Sequence, residues 1–129
     1  MRISTLLRSL FIVAFVMIAN TVVAEPTATQ KAQLKNTLQE FIDQNTICGK
    51  YQFVQDDSDL VELDFLAIHP AIFVREDHLF IMCADFKDAS DKRYLIDYYV
   101  KQAPNGYLIL KQIEGRQSLL STIKNKFRF

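Results

Sequence analysis

The chain has 129 residues, 50% apolar and 23% charged, which suits one globular domain and excludes a disordered or collagen-like class. Fifteen basic side chains balance fifteen acidic ones, so the basic excess of a dedicated nucleic-acid binder is missing.

Residues 1–24 have the layout of a secretory signal peptide. Arg2 and Arg8 make a basic start, Leu10 to Ala19 is an uninterrupted apolar run, and Val22-Val23-Ala24 offers small side chains before a cleavage point at Glu25. Asn20 and Thr21 break the run, and crossing a bilayer takes roughly 20 apolar residues, so the segment reads as a cleaved leader rather than an anchor. The expectation is a single exported domain over 25–129, periplasmic or secreted, slightly acidic, and not membrane-spanning once processed. The residue directly after the cleavage point is Glu25 rather than a cysteine, so a lipid anchor is not expected. The two cysteines, Cys48 and Cys83, form no C-x-x-C motif. An even pair in an exported chain predicts one structural disulfide, worth roughly 4 kcal/mol in the chain-entropy account.

After a polar lead, residues 28–46 have helical spacing. Leu34, Leu38, Phe41 and Ile42 form one apolar stripe, with Lys31, Lys35, Gln39, Glu40 and Asp43 opposite. Cys48-Gly49 is read as the helix stop. The period then changes to two. Tyr51 and Phe53 mark a short strand. Val61, Leu63, Phe65 and Ala67 mark another, which Pro70 should bend or confine to a sheet edge, and extended character resumes at 72–74. Residues 75–78 read as a turn. Residues 79–84 are apolar on both faces, as in a central covered strand. In 92–102, Tyr94, Ile96, Tyr98 and Val100 face one way and Arg93, Asp97 and Lys101 the other. Pro104-Asn105-Gly106 is the strongest turn signal, leading into a strand over 107–113. Beyond Gly115, Leu119, Leu120, Ile123 and Phe127 predict a second helix, with Lys124, Lys126 and Arg128 near its C-terminal end, where cations suit the helix dipole. The predicted class is α+β: an N-terminal helix packed on a curved antiparallel sheet of about four to six strands, with a short C-terminal helix.

A helix followed by a curved meander resembles the cystatin-like and nuclear-transport-factor-two-like superfold. More narrowly, Ile96-Asp-Tyr-Tyr-Val-Lys, Asn105-Gly-Tyr-Leu-Ile-Leu, Glu114-Gly-Arg-Gln-Ser-Leu-Leu and Lys126-Phe127 are similar to the last hairpin and helix of the periplasmic phospholipid-carrier family of the toluene-tolerance type. The resemblance implies a sheet curved over a helix and a lipid as ligand. That family usually has tryptophan where this chain has Tyr107, smaller residues at Arg116-Gln117, and no such cysteine pair in its pattern. Fold alone does not transfer function.

Catalytic and metal motifs are weak. His69 and His78 lack the close spacing of zinc ligands. Asp56-Asp57-Ser58-Asp59 lacks the glycine and distal glutamate of a calcium loop and reads as a solvated turn. No serine has a nucleophile-elbow context, and no glycine-rich phosphate loop is present. No cofactor is predicted. Asp97 and Asp85 could serve as an acid/base carboxylate in an apolar pocket, but the alternation points Asp97 away from the apolar face. Met82 and the aromatic residues Phe65, Phe80, Phe86, Tyr94 and Tyr98 could line an apolar concavity for a lipid or other apolar ligand. They equally suit the ordinary core of a small domain, which is the reading preferred here. The terminal Phe129 suggests an outer-membrane barrel, but the chain lacks room for eight strands of about ten residues.

The sequence therefore predicts a small exported, non-catalytic binding or accessory protein of the cell envelope. Its partner would be another envelope protein or an apolar small molecule, with nucleic acid excluded. The alternatives are a small acid/base enzyme on the same fold, or an inhibitor or immunity protein of an envelope enzyme.

Overall fold

A computed structural model of the chain describes residues 25–75 and 78–115. The predicted leader, the centre of the 75–78 turn and the predicted C-terminal helix lie outside the described residues.

Helix α1 spans Ala28–Gln44. Thr27 caps it: its hydroxyl accepts the Gln30 N–H at 3.1 Å, while Gln30 Oε1 accepts the Thr27 N–H at 2.9 Å. This reciprocal pair satisfies two donors that the first turn would otherwise leave unpaired. The helix buries Leu34, Leu38 and Ile42 and ends at Asn45, short of the predicted 46. Thr46 belongs to a strand instead. Strands β1 (Thr46–Ile47) and β2 (Lys50–Val54) form a hairpin around Cys48-Gly49. Both turn residues have positive φ, 51° and 77°. That geometry matches the right-handed twist of the flanking strands. Cys48-Gly49 is thus a hairpin tip, not the helix stop.

Strands β3 (Leu60–Arg75), β4 (Leu79–Lys87), β5 (Arg93–Ala103) and β6 (Gly106–Glu114) complete a six-stranded antiparallel sheet in the order β1-β2-β3-β4-β5-β6. β2 pairs with β3 only as far as Leu63. The rest of β3 is therefore an edge, and Pro70 sits there without costing the sheet a ladder bond. Register shifts at Phe65/Ala67 and Ile68/Ile72 bend β3, and a third shift at Tyr99/Val100 bends the β5–β6 pair. Such bulges raise local twist and curvature. Between β4 and β5, Asp88 organises the turn. Its Oδ1 accepts the backbone N–H groups of Ser90 and Lys92, each at 2.9 Å, and the Ser90 hydroxyl at 2.7 Å. These hydrogen bonds, led by the Ser90 hydroxyl, hold its carboxyl below the usual range.

The curvature is large. Tyr51 on β2 donates a hydrogen bond to Gln112 on β6. In a flat sheet those strands would lie about 19 Å apart, beyond the combined reach of the two side chains. The sheet must curl until its outer strands approach over the concave side, where α1 lies. The main core fills that concavity: Leu34, Leu38 and Ile42 of the helix meet Tyr51, Phe53, Leu63, Ile72, Phe80, Met82, Phe86, Ile96 and Tyr98. β4 is buried on both faces, as its uninterrupted apolar run predicts. Phe73, Ile81 and Cys83 form a separate buried cluster on the convex face.

Candidate functional site

The proposed apolar ligand face is assembled largely as the alternation predicts. Met82 pairs with Tyr98, Phe86 with Tyr94, and Phe80 with Val100 across β4 and β5. Phe80, Met82, Tyr94 and Tyr98 are 4%, 0%, 6% and 0% exposed and belong to one cluster with the buried stripe of α1. Phe41 of the helix meets the Tyr98 ring edge-on at 5.9 Å. α1 thus occupies the place an apolar ligand would take. Phe65 differs. It sits at the first β3 bulge, 36% exposed, with its ring 5.7 Å from Phe86 in an edge-to-face contact.

A polar chain runs through this core. The Tyr98 hydroxyl donates to the Tyr51 hydroxyl at 2.9 Å, and Tyr51 donates onward to Gln112 Oε1. Burial pushes the Tyr51 hydroxyl up to about 12, with the Tyr98 hydrogen bond opposing it. Burial, and then the adjacent Tyr51, raises Tyr98 further. Both groups therefore stay neutral at physiological pH. The chain satisfies hydroxyls that would otherwise be buried at a cost of about 1–3 kcal/mol each. Sequence patterning missed it because Tyr51 and Gln112 meet only through the curl of the sheet.

The convex face carries a second set of polar residues. Cys83 and Asp97 are directly opposite on β4 and β5, and the Cys83 thiol donates to Asp97 Oδ1 at 3.0 Å. Two residues along β4, Asp85 Oδ2 lies 2.8 Å from His69 Nε2 on β3. Both candidate carboxylates thus lie away from the concave core.

The expected Cys48–Cys83 disulfide is corrected by the structure. No disulfide joins Cys48 and Cys83. Cys48 projects from the exposed hairpin tip, whereas Cys83 is buried in the middle of the sheet. A disulfide requires Cα atoms within about 7 Å, and this topology does not bring the two together. The expectation came from cysteine parity and export, neither of which contains the distance between elements.

His78 lies in the turn before β4 with φ of 57°. Asp56–Asp59 is the turn between β2 and β3, where Gln55 N–H donates to the Asp59 carbonyl at 2.9 Å and Asp57 Oδ1 accepts the Asp59 N–H at 3.1 Å. Among the described residues, no group of three or more His, Cys, Asp or Glu side chains is placed to hold a metal. Nor is any described helix long and apolar enough to cross a membrane. A groove of about 440 Å³ lies between α1 and the β5–β6 turn, lined by Gln33, Asn36, Glu40, Gln102, Asn105 and Tyr107 among others. Its amides suit a hydrogen-bonding ligand better than an acyl chain. Comparison with protein-family models, with curated proteins and with solved structures gives no match in any of the three.

Proposed function

We propose that this chain is a small exported protein of the cell envelope that works by binding, without catalysis. Its leader, residues 1–24, would be removed ahead of Glu25, and residues 116–129 would form the short C-terminal helix of a cystatin-like domain. The preferred partner is another envelope protein, met on the outer surface. An inhibitor or immunity protein would be one form of this.

The observation that carries the choice is the filled concavity. The residues best suited to an apolar ligand are packed against α1. Large apolar side chains are exposed elsewhere: Ile47, Val54 and Leu60 around the β1–β2–β3 end, and Leu108 and Leu110 on edge strand β6. Unpaired edge strands and exposed apolar side chains favour protein contacts. The acid/base enzyme remains a second reading, with the His69–Asp85 pair as the observation in its favour.

The test is native mass spectrometry of the protein isolated from its own source without detergent. The expected species begins at Glu25 and carries a stoichiometric protein partner but no lipid. Changing Leu108 and Leu110 to Asp, or Val54 and Leu60 to Asp, should abolish the complex in at least one pair while circular dichroism stays unchanged. A lipid adduct at one per chain would contradict the reading. So would loss of cellular activity in Asp85→Asn with the complex intact.

A further inference from the structure

We propose that the groove between α1 and the β5–β6 turn is a binding site for a neutral saccharide. Its volume, about 440 Å³, falls within the roughly 300–1,000 Å³ range of small-molecule sites. Two walls of regular structure form it. Gln33, Asn36 and Glu40 recur at helical spacing, so they make one polar stripe beside the buried stripe of Leu34 and Leu38. Gln102, Asn105 and Tyr107 come from the hairpin opposite, where Ala103 pairs with Gly106 across Pro104-Asn105. The capping box steadies the helix wall, and the fixed φ of Pro104 steadies the turn. Scattered amides are ordinary on a surface. Here four of them and a carboxylate converge on one concavity from both sides.

The chemistry of these groups selects the ligand. No hydrogen bond or ion pair within the described residues engages the side chains of Gln33, Asn36, Glu40, Gln102 or Asn105. Each amide offers a carbonyl acceptor and two N–H donors, and a hydroxyl likewise both donates and accepts. Neighbouring sugar hydroxyls therefore match neighbouring amides, and the Glu40 carboxylate accepts from others. No lysine or arginine is among the described residues lining the groove, so nothing there neutralises a phosphate or carboxylate. Tyr107 brings an aromatic ring, held by an edge contact with Phe80 at 5.9 Å. Such a ring attracts the weakly positive C–H bonds of a pyranose and leaves its hydroxyls to the amides. An acyl chain would strand those amides without partners. Peptide recognition adds apolar or charged anchor pockets to its backbone bonds, and a lining dominated by amides offers no such pocket. The inference is independent of the protein-partner reading, whose residues Val54, Leu60, Leu108 and Leu110 do not line the groove.

The test is NMR of the full chain, read at the side-chain NH₂ signals of Gln33, Asn36, Gln102 and Asn105. Maltotriose, cellotriose, mannotriose and triacetylchitotriose are each titrated to about 10 mM. At least one should give saturable shifts at these signals, with a Kd of about 1 mM or tighter. Asn36→Ala and Asn105→Ala, both at exposed positions, should each weaken that binding at least about tenfold while the backbone spectrum keeps its folded dispersion. Lys35→Ala, on α1 but outside the groove lining, should leave it unchanged. Four results would each overturn the inference: no saturable shift from any of the sugars, binding undiminished in both asparagine variants, equal weakening by Lys35→Ala, or trialanine shifting the same signals with comparable affinity.

Discussion

Phe86→Ala should destabilise the protein by about 3–5 kcal/mol, the range for deleting a large aromatic side chain from a packed core. Phe86 is fully buried. Its ring stacks on Tyr51 at 4.6 Å and 19° and receives Phe65 edge-on. It therefore joins β2, β3 and β4 on the concave side, and its loss leaves a cavity that three strands and a helix must collapse around. Phe86→Leu keeps most of the volume and should cost about 1–2 kcal/mol. Urea denaturation read by circular dichroism measures both. If the concavity held an open ligand space beside this ring, fewer packing contacts would be lost, and the alanine variant would fall below about 2 kcal/mol.

A second large effect is expected in alkali. An unfolded tyrosine loses its proton near pH 10, whereas folded Tyr51 keeps it until about 12. Between these values the folded state binds more protons than the unfolded one, so stability falls as pH rises. Two units of pKa correspond to about 3 kcal/mol, fully present below pH 10 and lost by about pH 12. Tyr98 shifts in the same direction and steepens the loss. Tyrosinate absorbance should show two of the five tyrosines ionising only as the protein unfolds. Tyr51→Phe should cost about 1–3 kcal/mol at neutral pH, because it deprives Tyr98 of its acceptor and Gln112 of its donor. Its stability should then fall less steeply above pH 10. An unchanged slope would show that Tyr51 is not the group responsible.

Local patterns in the sequence explain much of this architecture. The 3.6-residue stripe Leu34, Leu38, Ile42 specifies the buried side of α1. The alternation from Tyr94 to Val100 specifies which face of β5 is buried. The apolar run at 79–84 identifies β4 as a strand covered on both sides. Pro70 is legible too, since the missing N–H requires an edge or a bulge and the structure provides both. Even the Cys83–Asp97 contact could have been found. Once Asp88–Lys92 is recognised as the turn, continuing the hairpin register inward from Lys87↔Arg93 places Cys83 opposite Asp97.

What stayed hidden depends on long-range curvature. Nothing local to Tyr51 or Gln112 shows that β2 and β6 approach each other, because that follows from bulges accumulated along β3 and β5. His69 meets Asp85 through the irregular part of β3, where two register shifts defeat simple parity. Cys48-Gly49 looked like a helix stop because Gly serves both purposes. The distinction lies in Thr46 and Tyr51, which pair across the turn.

The most direct test of the filled concavity is a titration of the folded protein with a fluorescent fatty acid, followed by NMR at the side chains of Leu34, Leu38, Met82 and Ile96. These four residues are fully buried in the cluster between α1 and the sheet. The account predicts no saturable shift at any of them, with perturbations confined to exposed residues such as Val54, Leu60, Leu108 and Leu110. Saturable shifts concentrated at the four buried residues, at one fatty acid per chain, would contradict it and restore the concavity as the binding site.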